Sequence, residues 1–128
     1  MKSKYDAFTE EKRNVSYEQN LFLTTALRKL GFKPANNGTI YLKKIIILAY
    51  KERDVVINLK ELCNKLSKKL GNVQAKTIYE NIKYAVNNIN YNKARANYEI
   101  IFNIPYDNDY FTVRNIIEEF INILEAKE

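Results

Sequence analysis

The sequence predicts an all-α fold, and three observations carry that prediction. Only three glycines and two prolines interrupt 128 residues, too few for a loop-rich sandwich. Apolar residues recur at i, i+3, i+4 and i+7 through one segment after another. At 46% apolar the composition is globular, and the length suits one domain burying roughly two-thirds of its unfolded surface.

Residues 1–16 read as a polar N-terminal arm of mixed charge, frayed or forming a short leading helix. Ser16 can cap a helix from about Tyr17 to Leu30, with apolar positions at Leu21, Leu23, Thr24, Leu27 and Leu30 and a stop at Gly31. Pro34 to Gly38 is a turn cluster. Gly38 or Thr39 then starts Ile40 to Arg53, where Tyr41, Leu42, Ile45, Ile46, Leu48 and Ala49 indicate a nearly all-buried helix. A short buried strand would look similar, because isoleucine-rich runs have high β propensity. The uninterrupted length favours helix.

Leu59, Leu62, Cys63, Leu66 and Leu70 form the next helical stripe, broken by Gly71-Asn72. Glycine permits the positive φ of a helix C-cap. A second stripe follows at Ala75, Ile78, Ile82, Ala85, Val86 and Ile89. The asparagine-rich run Asn87 to Asn97 is expected to end that helix loosely. Tyr98, Ile100, Ile101, Phe102 and Ile104 make a short apolar segment, closed by Pro105 to Asp109. A last helix is expected from about Phe111 to Ala126, with Val113, Ile116, Ile117, Phe120, Ile121 and Leu124 on one side.

Charge is unevenly placed. Residues 28–95 carry fifteen cations against four acids, a net of +11, whereas residues 96–128 carry −5. The basic part contains the two helices joined at Gly71-Asn72. Two short helices joined so tightly are how a helix-turn-helix offers its second helix to the DNA major groove. A basic segment at the same place is the footprint of a phosphate-binding surface. Candidate base contacts on helix 74–89 are Gln74, Lys76, Thr77, Tyr79, Glu80 and Lys83. Candidate phosphate contacts are Lys60, Lys65, Lys68, Lys69 and Tyr84, which position the protein without specifying sequence. The plain alternative is a helical hairpin with a solvated basic face.

Much chemistry is excluded. There is no histidine, so Ser-His-Asp, Cys-His and HExxH arrangements are all missing. Gly31, Gly38 and Gly71 are isolated, so no phosphate loop is present. Asp107-Asn108-Asp109 lacks the glycine and closing glutamate of a calcium loop and reads as a turn. Glu118-Glu119 reads as a solvated helix face. No catalytic residue, metal or cofactor is therefore expected, and the protein is not read as an enzyme. The single cysteine, Cys63, lies on an apolar stripe as a packed thiol, which suits a cytoplasmic protein. The first residues hold no apolar signal core, and the longest apolar run, Ile45 to Tyr50, is too short for a bilayer. Abundant Asn, Ile, Lys and Tyr, all with AT-rich codons, fit a bacterial or mobile-element source.

Several segments carry a resemblance. They are Thr25 to Ala35 (TALRKLGFKPA), Gly38 to Lys44 (GTIYLKK), Leu66 to Leu70 (LSKKL) and Asn81 to Val86 (NIKYAV). Together they resemble the C-terminal DNA-binding effector domain of the sporulation master response regulator (stage zero sporulation protein A), over roughly Tyr17 to Ala126. The resemblance implies about six helices in one domain with a helix-turn-helix, Gln74 to Ile89 as recognition helix, and helix rather than strand at Ile40. That family reads guanines with arginines and holds phosphate with a cation and a histidine. Here Thr77 and Glu80 stand at the first two arginine positions, Lys83 keeps a cation and Tyr84 replaces the histidine. The family's target sequence is therefore not carried over. The chain is expected to be a stand-alone relative without a receiver domain.

The leading expectation is a sequence-specific double-stranded DNA-binding protein, a small transcriptional regulator that is monomeric in solution and pairs only on DNA, with no membrane partner. Accessory roles in plasmid replication or transfer fall in the same class. The alternative is a protein-interaction module whose DNA-reading helix has drifted, with the apolar last helix as a pairing face.

Overall fold

Ser16 begins the first helix as its side chain dictates. Its Oγ accepts from the Gln19 N–H at 3.0 Å, and Gln19 Oε1 accepts from the Ser16 N–H at 2.8 Å. This reciprocal pair satisfies two donors that a helix start leaves open. The helix, α1 (Tyr17–Lys29), closes where Gly31 N–H donates to Arg28 O at 3.0 Å and Phe32 N–H to Leu27 O at 3.1 Å. The computed structural model describes residues 15–52 and 57–128. Most of the expected arm, and Arg53 at the expected end of the second helix, lie outside the described residues.

Five further helices follow: α2 (Asn37–Glu52), α3 (Leu59–Leu70), α4 (Ala75–Asn87), α5 (Tyr91–Phe102) and α6 (Val113–Ala126). Among the described residues the fold is all-α, with no strand. The β-prone isoleucines of α2 become helical because the segment is the hub of the fold. It packs against α1, α3, α4 and α6, burying Leu42, Ile45, Ile46, Leu48, Ala49 and Tyr50. Each neighbour claims a different side of one helix, which a strand's two faces cannot offer. The helix starts earlier than the sequence suggested, because Asn36 Oδ1 caps Gly38 N–H at 2.8 Å. Nor is it nearly all buried: Ile40 and Lys44 are exposed and Ile47 is half-buried.

The most extensive helix contact is between α2 and α4. At Gly38 the two backbones come so close that a Cβ would stand 2.0 Å from Asn81 O and 2.8 Å from Ala85 Cβ. Only a residue without a side chain fits there.

The asparagine-rich run is a correction. Asn90 Oδ1 caps α5 by accepting from Lys93 N–H at 3.2 Å, and Ala94, Tyr98 and Phe102 bury one stripe of it. Asn97 Nδ2 donates to Lys29 O at 2.9 Å and so closes the end of α1. Asn103, at φ 59°, ends the helix in the left-handed region that asparagine tolerates. The asparagines are thus caps and cross-links, not signs of irregular chain. Leu21 is also corrected, being 53% exposed.

The apolar stripe of α6 is core. Val113, Ile116, Ile117, Phe120 and Leu124 are buried, whereas Ile121 and Ile123 are only half-buried. The helix starts at Val113, not Phe111, because Thr112 Oγ1 caps the Asn115 N–H at 3.2 Å. Buried Gln19 joins three helices, its Nε2 donating to Tyr50 Oη at 3.2 Å and Leu124 O at 3.0 Å. Among the described residues, no helix is long and apolar enough to cross a membrane.

Two glycine substitutions separate close packing from backbone strain. Gly38→Ala forces α2 and α4 apart and should cost about 3 kcal/mol or more. Gly71 has φ +79° with nothing within 4 Å, so Gly71→Ala should cost only about 1–2 kcal/mol of left-handed strain. Urea midpoints give both values, and equal losses would contradict the close α2–α4 seat.

Candidate nucleic-acid interface

α3 and α4 are joined by a turn that local hydrogen bonds hold tightly. Asn58 Oδ1 caps α3 through Glu61 N–H at 3.0 Å. Gly71 N–H donates to Ser67 O at 2.9 Å, and Ser67 Oγ donates to Val73 O at 2.6 Å, folding the turn back over the end of α3. α4 then starts at Ala75, with Gln74 at its N-cap making no side-chain capping bond. Its first N–H groups lack the side-chain acceptor that α3 has, which suits an external anion.

The helix is shorter than the 74–89 expected, ending at Asn87 with Ile89 buried in the connection to α5. Ile78, Ile82, Ala85 and Val86 face the core. Gln74, Lys76, Thr77, Tyr79, Glu80, Lys83 and Tyr84 are all exposed. Asn81 is half-buried, and its amide donates to Thr77 O at 2.8 Å, which occupies it within the helix.

A groove of about 570 Å³ separates α3 from the first half of α4. Leu59, Cys63 and Ala75 give it an apolar lining, and Lys60, Asn64, Lys76 and Tyr79 supply its polar groups. Lys60, Lys76 and Tyr79 are therefore brought together. Lys83 lies two turns beyond Lys76 on the same side of α4. Thr77 and Tyr84 share the opposite flank by the same spacing.

The expected phosphate contacts are divided. Lys65 Nζ bonds Glu52 Oε1 at 2.7 Å and lies 3.3 Å from Glu61 Oε1. Hydrogen bonds to Glu52 and Glu61 raise its pKa above the ordinary lysine value. Lys69 lies towards α2 and lines a trough of about 240 Å³ with Lys44 and Lys51. Lys68 is exposed and lines neither the groove nor the trough. Lys44 and Lys51 were missed by the sequence reading. Their signal is the stripe Ile40, Lys44, Ile47 and Lys51, which the isoleucine-rich run around it obscures. Lys44, Lys51, Lys60, Lys68, Lys69, Lys76 and Lys83 pair with no carboxylate among the described residues.

No protein-family model, curated protein or solved structure matches this chain.

Cys63 serves the groove as apolar wall. Burial pushes its thiol from an ordinary 9.0 up to about 11, leaving almost no thiolate at neutral pH. A disulfide reagent at pH 8 should therefore label the native protein far more slowly than the urea-unfolded chain. Because the folded pKa is the higher one, this thiol's contribution to stability is intact below pH 9.0 and declines as pH rises towards about 11. Cys63→Ala should flatten stability against pH in that window. Equal labelling rates in the two states would contradict the burial.

Proposed function

We propose that the protein binds double-stranded DNA sequence-specifically, as a small regulator of transcription, with α3 and α4 acting as a helix-turn-helix. The observation that carries this reading is the exposed face of α4. It presents amide, hydroxyl, carboxylate and ammonium groups, and its own Lys76 and Lys83, with Lys60 across the groove, pair with no carboxylate among the described residues.

In this reading α4 enters the major groove. Lys60, Lys76 and the N-terminal amides of α4 hold phosphate, Lys68 and Lys69 add longer-range attraction, and Lys65 stays with its carboxylates. Gln74 has the amide geometry to pair with adenine, Glu80 can accept from cytosine N4, and the Thr77 methyl can pack on thymine. The described part of α4 contains no arginine, so bidentate guanine reading falls to no residue here. The likeness to sporulation-regulator effector domains supports the same role with a different target sequence. The protein is proposed to be monomeric in solution and to pair only on DNA, since the α6 stripe is used in its own core.

A second reading is favoured by the apolar lining of the α3–α4 groove. Leu59, Cys63 and Ala75 would accept an apolar side chain of a partner protein.

Salt dependence separates the two. If about five phosphates are neutralised, log affinity for duplex DNA should fall with log salt at a slope near −4 to −5. Lack of duplex binding at low salt in a fluorescence-anisotropy titration would exclude the DNA reading. Specificity and affinity should also divide by residue. Thr77→Ala and Glu80→Ala should change the sequences recovered from a random pool, each contact being worth about 1–3 kcal/mol. Lys60→Ala and Lys68→Ala should weaken all sequences alike and flatten the slope by about one unit each. Lys65→Ala should change DNA affinity least of the lysine variants. Uniform losses across all these variants would place the DNA-reading helix elsewhere.

A further inference from the structure

Between α2 and α3 runs a trough of about 240 Å³ that shares no lining residue with the α3–α4 groove. Ile47 and Leu48 line it from α2, Leu66 and Leu70 from α3. Leu48 and Leu66 are buried, so the half-buried Ile47 and Leu70 offer the apolar surface that a partner can touch.

Three lysines border this floor, Lys44 and Lys51 on α2 and Lys69 on α3. None pairs with a carboxylate among the described residues, and Glu52, the acid beside Lys51, bonds Lys65 at 2.7 Å. Lys44 and Lys51 stand seven residues apart, so roughly 10 Å of helix axis separates them, with Ile47 between. Helix C-termini favour cations, which accounts for Lys51 and Lys69 singly. Lys44 stands mid-helix and owes nothing to a dipole.

This combination disfavours two kinds of occupant. Small-molecule pockets measure roughly 300–1,000 Å³, more than the trough provides. A nucleic-acid backbone would use the lysines and leave the apolar floor unused, since phosphate and sugar are polar. An amphipathic helix meets both requirements, because it lays an apolar stripe into a groove and carries charge along its margins.

We propose that the α2–α3 trough docks an acidic amphipathic helix of a partner protein. The apolar stripe of that helix covers Ile47 and Leu70. Carboxylates at i and i+7 along one margin have the two-turn spacing of Lys44 and Lys51, and an acid on the other margin meets Lys69. No residue of α4 lines the trough, so the proposal stands whether or not α4 reads DNA.

The test uses the full chain and a capped peptide of about fifteen residues, long enough for a helix in water, with leucines on one face flanked by glutamates. Calorimetry should find saturable binding that weakens as salt rises. Replacing the glutamates of the peptide by glutamine, or scrambling the leucines off their common face, should weaken binding roughly tenfold. Lys44→Ala combined with Lys51→Ala should also cost roughly tenfold, and Ile47→Gln about fivefold, whereas Lys93→Ala on α5 should stay within about twofold. If Ile47→Gln fails to fold, the lysine double variant and the scrambled peptide decide. No saturable binding, equal binding of the glutamine peptide, or undiminished binding by the double variant would overturn the proposal. Displacement of the peptide by a mixed-sequence duplex that the double variant no longer binds would overturn it too, assigning the trough to DNA. So would a free dimer dispersed by Ile47→Gln, which would assign it to a second copy.

Discussion

The contact of Gly38 with the backbone of Asn81 fixes the arrangement on which everything else depends. Helices normally pack through side chains, at interaxial distances of roughly 8–10 Å. Here one backbone lies directly against another, since a single added methyl carbon would come within 2.0 Å of a carbonyl oxygen. That approach buries Ile78, Ile82, Ala85 and Val86 against the rest of the core. It therefore dictates which side of α4 is left outside. The polar face of α4 is a consequence of its seat, not only of its own sequence.

The same seat explains why the basic residues are not equivalent. α2 packs against four helices, yet one stripe of it stays partly exposed, and that stripe carries exposed Lys44 and half-buried Lys51. α3 packs against both α2 and α4, so its two flanks face different neighbours. Lys60 falls on the α4 side, whereas Lys65 and Lys69 fall on the α2 side. Glu52 then pairs with Lys65 at 2.7 Å, whereas Lys60 and Lys69 pair with no carboxylate among the described residues. Charge counted along the chain cannot foresee this division, because it arises from packing.

Much of the fold was legible because its signals are local. Ser16, Gly31, the Gly71 turn and the stripes of α3, α4 and α6 follow from capping chemistry and helical period. α5 was not legible. Its stripe of Ala94, Tyr98 and Phe102 is sparse, and its asparagines resemble loop composition. Only the long-range bond from Asn97 to Lys29 O shows that they tie helix ends together. The exposed residues of α4 were legible from spacing alone. The bonds of Lys43 to Asn20 and Thr24 were not, since they form only once α1 and α2 pack together.

The central claim is that α4 offers its outer face, with the start of α3, to duplex DNA. Amide chemical-shift mapping of the full chain with a mixed-sequence duplex at low salt tests it most directly. The largest shifts should fall between Gln74 and Tyr84 and around Lys60, leaving α5 and the buried side of α6 unmoved. Shifts centred on α5 or α6, or no shifts at all, would contradict the account.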